Sequence, residues 1–142
     1  MALQVNVFMQ NQPGRLAKMV HVMAEAGVNI RATTIASSEG FGVAKFLVDR
    51  PAEAAAALKA AGLSAALQSV VAVKMDDRAG GLDKILPLLS AQNVNVKDAY
   101  GFILARGSEA VFVFEVENPD ETEKFLREGG CEVMTAYSLY GL

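Results

Sequence analysis

The sequence predicts an α+β protein built from two copies of one unit, each with the order β-α-β-β-α-β. Three observations lead to this prediction. Runs of alternating apolar and polar residues, typical of strands, are separated by stretches with the apolar period of helices. Glycine and proline stand where these elements end or begin. The whole pattern then starts again in the second half of the chain.

The first strand and the first helix follow from apolar spacing. Residues 3–9, LQVNVFM, alternate apolar and polar side chains, as a half-buried strand does. A helix packed on a sheet comes next, and Gly27 is its natural end because the residue after the last turn often needs a positive φ. The apolar stripe of that helix consists of Leu16, Met19, Val20 and Met23.

The rest of the first unit is predicted in the same way. Residues 28–36 and 41–49 are rich in strand-forming residues and are separated by a polar turn. Pro51 suits the first turn of a second helix, which is rich in alanine and ends at Gly62. A strand within residues 63–75 completes the unit.

The second half of the chain repeats the first. A shift of 66 residues aligns the early parts, a shift of 68 aligns the later parts, and a two-residue insertion in the hairpin near 106–109 reconciles them. Such a repeat indicates duplication of one supersecondary unit. We therefore predict units at residues 1–68 and 69–142, the last strand of the first running almost directly into the second. The aligned pairs are Val5 with Val71, Val7 with Val73, Met9 with Met75, Gly14 with Gly80, Leu16 with Leu82 and Phe46 with Phe112 at the first shift, and Pro51 with Pro119, Glu53 with Glu121, Leu58 with Leu126 and Gly62 with Gly130 at the second.

This order of elements is the split-βαβ, ferredoxin-like arrangement. Right-handed crossovers then place both helices of a unit on one face of a four-stranded antiparallel sheet. A unit of about 70 residues buries a limited share of its surface. A second copy docked beside it would cover more.

Three local predictions concern the second unit. A helix begins near Gly80, and Pro87 bends or shortens it because proline removes a backbone donor. Residues 117–130 form an amphipathic helix capped by Asn118. The run CEVMTAY, which starts at Cys131, is interpreted as the final strand.

Composition and charge argue against several classes of function. The net charge is −3 and aromatic residues are not interleaved with basic ones, so neither nucleic acid nor a membrane is expected as a partner. One cysteine and one histidine cannot form a disulfide, a cysteine-based metal cluster or a His–His metal pair. Phosphate-binding glycine motifs and EF-hand spacing are absent, so no cofactor or metal is predicted. Without an evident signal peptide or membrane span, a cytoplasmic location is expected.

Each copy places a glycine-containing loop between its first strand and its first helix. The first amides of a helix lack intrahelical partners, and the helix dipole adds partial positive charge. A ligand carboxylate would therefore be stabilised at Gly14-Arg15-Leu16 and at Gly80-Gly81-Leu82. Asn11 and Asp77 precede these helices, where their side chains either cap the helix or accept from a ligand ammonium group. Both interpretations stay open on spacing alone.

The two loops also resemble a known motif. Residues 11–16, NQPGRL, and 77–82, DRAGGL, are similar to the pattern [D/N]-x-P-G-x-L that opens the ACT domain, except that Ala79 replaces proline. The sequences GVNI and NVNV resemble the start of the family's second strand. AYGF at 99–102 resembles the matching strand in proteins made only of two tandem ACT domains. The resemblance covers essentially the whole chain.

The resemblance implies binding rather than catalysis. ACT domains are regulatory modules of amino-acid metabolism that pair side by side, and amino acids often bind between the first loop of one unit and a strand of its neighbour. It implies a non-catalytic protein that binds a small metabolite, above all an amino acid, as a homodimer that signals to a metabolic enzyme. By position it nominates as ligand-binding residues Asn11, Gln12, Pro13, Gly14, Arg15 and Leu16 with Asn29 and Ile30 in the first copy, and Asp77, Arg78, Ala79, Gly80, Gly81 and Leu82 with Asn95 and Val96 in the second.

Two other functions stay open. One is a docking or dimerisation subunit with no ligand of its own. Loss of proline at Ala79 favours it for the second copy, because that loop is then less preorganised. The other is a small enzyme, because a fold does not fix function. Whether both loops bind, and whether units pair within or between chains, stays open as well.

Overall fold

The computed structural model describes all of residues 1–142 and contains seven strands and five helices. It divides into two compact units. The first unit comprises residues 3–68 with 140–142, and the second unit comprises residues 1–2 with 69–139. Each has its own hydrophobic core. No helix combines the length and the apolarity that a bilayer crossing requires.

The first unit has the predicted β-α-β-β-α-β order. Its strands follow the spatial order β2-β3-β1-β4, and β4 runs without interruption across residues 68 and 69, so the last strand of the first repeat continues as the first strand of the second. The elements are β1 (Ala2–Gln10), α1 (Arg15–Glu25), β2 (Ile30–Ser38), β3 (Phe41–Val48), α2 (Pro51–Ala60) and β4 (Ser64–Asp76).

The core of the first unit lies between one face of its sheet and the two helices. Val5 pairs with Phe46 across β1 and β3, and both side chains are fully buried. From α1, Met19 and Met23 pack into the same cluster, as predicted, whereas Leu16 and Val20 of the predicted stripe are exposed and Val22 packs against the core instead. Burying several large apolar side chains of this kind contributes about 1.5–3 kcal/mol each.

The second unit repeats this arrangement with strand order β5-β6-β4-β7. Its core again joins one sheet face to the helices, with Phe114, Ile85 and Leu126 buried in it. The α+β fold with antiparallel sheets is therefore as predicted. The elements after β4 are a 3₁₀ turn (Leu82–Lys84), α3 (Leu86–Ala91), β5 (Asp98–Ala105), β6 (Glu109–Glu115), α4 (Pro119–Glu128), β7 (Glu132–Val133) and α5 (Ala136–Tyr140).

The strand registers locate the two-residue insertion. Ser37 pairs with Gly42, leaving four residues (38–41) in the first hairpin, whereas Ile103 pairs with Ala110, leaving six (104–109) in the second. The insertion in this hairpin is confirmed. The shift of 68 therefore already applies in β6, so the counterpart of Phe46 is Phe114; the predicted match with Phe112 is wrong.

Two local predictions near the C-terminal end are wrong. In CEVMTAY only Glu132 and Val133 form a strand, and α5 follows because the Thr135 hydroxyl accepts from the Ser138 amide at 3.1 Å, an N-cap that the strand interpretation missed. Asn118 does occupy the N-cap position of α4, but its side chain makes no capping hydrogen bond.

Candidate functional site

The loop after β1 ends in a glycine with a left-handed backbone. Gly14 has φ of +85°, a conformation that side chains other than glycine rarely adopt, and it is the N-cap of α1. Its carbonyl accepts from the Lys18 amide at 3.0 Å, the first regular hydrogen bond of the helix. The loop and the helix start are thus joined as predicted.

The N-terminus of α1 is open. The Arg15 amide donates to the Gln12 carbonyl at 3.3 Å, but the amides of Leu16 and Ala17 have no acceptor within the chain. The first turn contains no acidic residue, and no side chain caps it. This end of α1 therefore carries unpaired donors and the positive end of an eleven-residue helix dipole, to which the Arg15 guanidinium adds a full charge.

Asn11 does not cap this helix. Its side-chain Nδ2 donates to Ser37 Oγ at 3.1 Å, and its backbone amide donates to the Gly40 carbonyl at 2.7 Å. Both bonds tie the loop to the β2–β3 hairpin. The capping interpretation of Asn11 is therefore wrong, and its side-chain Oδ1 is left to accept from another donor.

The neighbouring polar side chains of the first loop bond to one another. Gln12 Nε2 donates to Gln10 Oε1 at 3.2 Å, and Arg15 Nη2 donates to Gln12 Oε1 at 3.4 Å. Pro13 lies exposed at the tip. No carboxylate takes part, so the chain itself places no negative charge at the start of α1.

The second loop has the same tether to its hairpin with a different side chain. The Asp77 amide donates to the Ser108 carbonyl at 3.1 Å, and Asp77 Oδ2 accepts from the Gly107 amide at 2.7 Å. Asp77 therefore does not cap a helix either. Its carboxylate holds the β5–β6 hairpin.

The helix predicted near Gly80 does not begin there. A 3₁₀ turn occupies Leu82–Lys84, and α3 begins only at Leu86, with Pro87 in its first turn. Gly81 is buried, and a Cβ on it would lie 2.3 Å from the Asp76 carbonyl oxygen. The backbone at Gly81 therefore packs so closely against the backbone of Asp76 that no side chain fits between them. The shortening effect predicted for Pro87 is confirmed, whereas the helix start at Gly80 is wrong.

A carboxylate of the chain already occupies the second loop. Asp76 Oδ2 lies 3.2 Å from Arg78 Nη2 and 3.1 Å from Lys84 Nζ. The hydrogen bond from the Lys84 ammonium, with the charge of Arg78 beside it, holds the pKa of the Asp76 carboxyl below its ordinary value. The cations of this loop are therefore paired internally, unlike Arg15 in the first.

The other nominated residues lie at the opposite end of each unit. The Asn29 amide donates to Asp49 Oδ1 at 2.9 Å, where β2 begins and β3 ends, while the first loop contacts the other ends of these strands. Asn95 is exposed in the second unit beside a polar cavity of about 290 Å³ that also includes Glu117. Ile30 and Val96 follow at the matching positions. Within one unit the structure does not bring these residues to the loop.

A cleft that is open to solvent was not predicted from the sequence. In the first unit, about 680 Å³ of space lies where the end of β1 meets the β2–β3 hairpin, with Phe8 and Phe41 among the lining residues. The available signal was Phe8 itself, an aromatic residue on the polar side of the alternation in β1. No three His, Cys, Asp or Glu side chains are grouped so that they could hold a metal ion.

The family model described as ACT domain pair matches residues 1–137. The chain belongs to this family. The two tandem ACT units that the loop motifs predict are thereby established. Among curated proteins, no sequence matches the chain.

Solved structures agree on the fold. The crystal structure of a Bacteroides thetaiotaomicron protein superposes with a TM-score of 0.92 at 31% identity, covering 99% of this chain and 96% of that one. The ligand-free regulatory subunit of aspartate kinase from Thermus thermophilus matches with a TM-score of 0.67 at 16% identity, covering 89% and 91%. The same subunit from Thermus flavus gives 0.62 at 14%, covering 90% and 92%. At these lower identities the two Thermus structures show a shared fold alone.

Proposed function

We propose that the ACT domain pair is a non-catalytic regulatory protein that binds an amino acid at its first loop and transmits occupancy to a metabolic enzyme. The ligand carboxylate accepts from the amides of Leu16 and Ala17, with Arg15 supplying charge. Asn11 Oδ1 and loop carbonyls accept from the ligand ammonium group. The observation that carries this proposal is the uncapped start of α1, whose first turn contains no acidic residue.

The rest of the site comes, in this proposal, from a neighbouring unit. The start of a second strand, Asn29-Ile30 or Asn95-Val96, would face the loop of another unit, because Asn29 and Asn95 are exposed and lie away from the loop of their own unit. β2 and β5 are the edge strands of their sheets. Edge strands offer unpaired backbone groups to another chain, which supports a homodimer.

A docking or dimerisation role without a ligand is the second candidate, and one observation favours it for the second unit. There the loop holds its own carboxylate, Asp76, between Arg78 and Lys84, and no helix begins at Gly80. A ligand carboxylate would have to compete with Asp76 for Arg78 and Lys84. The second unit would then contribute pairing surface rather than a binding loop.

The test is a thermal-shift screen of the twenty amino acids on the wild-type chain and on Ala17→Asp. Ala17 is exposed in the first turn of α1, and the matching residue in the second unit is Asp83. An acidic side chain there favours the helix dipole by about 0.3–1 kcal/mol, so the variant folds at least as well. It also places a negative charge where the ligand carboxylate would bind.

We expect one amino acid to raise the melting temperature of the wild type and not that of the variant. At ten times its Kd a ligand stabilises by about 1.4 kcal/mol, which corresponds to a rise of about 3–6 °C. Ala24→Asp, at an exposed position in the last turn of α1, is the control: the helix dipole disfavours the new charge there, but the ligand should raise its melting temperature as much as that of the wild type. Equal shifts in the wild type and in Ala17→Asp would contradict binding at α1. No shift with any amino acid would favour the docking role.

A further inference from the structure

A cleft lies on the face of the first unit's sheet that is turned away from its helices. In β1 the side chains of Val7 and Met9 enter the core, so Phe8 and Gln10 between them point to the other face. The cleft has a volume of about 680 Å³, within the range of about 300–1,000 Å³ typical of small-molecule sites. Its lining side chains on this face are Phe8, Gln10, Ala36, Ser38, Phe41 and Val43.

Two phenylalanines form the walls. Phe8 pairs with Val43 and Phe41 pairs with Gln10, so Phe8 and Phe41 are diagonal neighbours across β1 and β3. Diagonal neighbours are separated by about 7–8 Å. Their rings do not stack on each other, and the two residues are 49% and 65% exposed. Both rings are therefore accessible to a third aromatic ring, which prefers offset or edge-to-face packing against such side chains.

The floor is made of small residues. Val43 and Ala36 are cross-strand partners at its centre. Gln10 and Ser38 add an amide and a hydroxyl group at the rim. No charged side chain lines the cleft. A neutral ring with a hydrogen-bonding substituent meets these groups without burying an unpaired charge.

The second unit does not keep these features. By register, the positions of Phe8, Ala36 and Phe41 are taken there by Lys74, Phe102 and Glu109. Lys74 Nζ lies 3.0 Å from Glu109 Oε1 and 3.8 Å from Glu132 Oε1. An ion pair thus replaces the two aromatic walls, and a phenylalanine replaces the alanine of the floor. The same strand arrangement therefore carries two phenylalanines in the first unit and an ion pair in the second.

We propose that this cleft is a second binding site, for a small molecule with a planar aromatic or heteroaromatic ring, held between Phe8 and Phe41. It lies on the opposite face of the sheet from α1, and it borders the first loop at Gln10, whose Oε1 accepts from Gln12 Nε2. The ring buries apolar surface against both walls and the floor. A polar substituent exchanges hydrogen bonds with Gln10 or Ser38.

Indole is the probe that tests this site, because the chain has no tryptophan whose emission would overlap that of indole. We expect a saturable blue shift of indole emission with the wild-type chain. Phe8→Lys with Phe41→Glu, the pair that the second unit has, should weaken indole binding at least tenfold. Ala36→Phe should do the same by filling the floor, without adding charge.

Ile35→Lys is the matched control. Ile35 lies on the same strand as Ala36 and is 45% exposed, but its side chain points to the other face, so indole binding should stay as in the wild type. Circular dichroism melting checks that each variant is folded. Ala36→Phe and the double variant must both weaken indole binding. Absence of saturable binding, or equal binding by the double variant, overturns the proposal. Concentration-dependent sedimentation that the double variant abolishes would mean that a second copy of the chain covers the cleft, which overturns it too.

Discussion

In the first unit the loop after β1 leads into an eleven-residue helix, whereas in the second unit the matching loop leads into a 3₁₀ turn and a six-residue helix. Both loops are tied to their hairpins by the residue at the same position, Asn11 in one and Asp77 in the other. The frame is therefore common to both. What differs is the helix start and the charge beside it.

The difference separates the residues on which the proposed binding loop depends from those that maintain the fold. Gly14 and Gly80 have nearly the same φ, +85° and +86°, so the turn itself is preserved. Among the residues that differ, three exchanges account for this contrast: Gln10 to Asp76, Arg15 to Gly81 and His21 to Pro87. They give the second loop its own anion, a backbone contact that a side chain cannot enter, and a shortened helix.

The largest expected effect comes from exchanging the residues at the helix centre. His21→Pro removes a backbone donor in the middle of α1 and should lower the free energy of unfolding by about 3 kcal/mol or more. Pro87→His should change it by less than about 1 kcal/mol, because proline is tolerated in the first turn of α3. Urea unfolding followed by circular dichroism measures both. Equal losses in the two variants would contradict the difference between the helices.

A smaller effect is expected at the residue after the loop glycine. Gly81→Ala places a Cβ against the Asp76 carbonyl and should cost about 1–3 kcal/mol. Arg15→Ala, the matched change in the first unit, should cost within about 0.5 kcal/mol because the residue is only half-buried. Chemical denaturation of both variants checks this. The contact at Gly81 would be refuted if its variant were as stable as the wild type.

The smallest effect concerns the pH dependence of stability. The folded-state pKa of Asp76 lies below its ordinary value, so its carboxylate stabilises the fold above about pH 3.9 and loses that contribution as pH falls through the folded pKa. The free energies of unfolding of the wild type and of Asp76→Asn should therefore differ at neutral pH and become equal in acid. Denaturation curves at several pH values measure this. A difference that stays constant with pH would assign the effect to something other than ionisation.

The fold could be predicted because its signals are local and occur twice. The order of elements followed from the alternating pattern of the strands, the spacing of Met19 and Met23, and the repeat. The two-residue insertion was also assigned to the correct hairpin. The helix after Gly80 was not predictable from the loop glycine, because the contact between Gly81 and Asp76 depends on how the loop folds back. Thr135 is a residue type that favours the start of a helix, but the β-rich composition around it led to the prediction of a strand.

The sites could be predicted only in part. The loop positions follow from the repeat, but the roles of Asn11 and Asp77 as hairpin tethers depend on contacts with residues more than 25 positions away. The cleft between Phe8 and Phe41 depends on strand register, which brings together side chains far apart in sequence. The register between β1 and β3 depends on how the whole sheet assembles, and no local sequence pattern predicts it.

The most direct test of the difference between the loops is the stoichiometry of amino-acid binding. The amino acid that most raises the melting temperature is titrated into the wild-type chain by isothermal calorimetry, with Ala17→Asp as the reference. One bound ligand per chain, lost in Ala17→Asp, is the predicted result, because the second loop already holds Asp76 between Arg78 and Lys84. Two ligands per chain, or one that survives in Ala17→Asp, would contradict it.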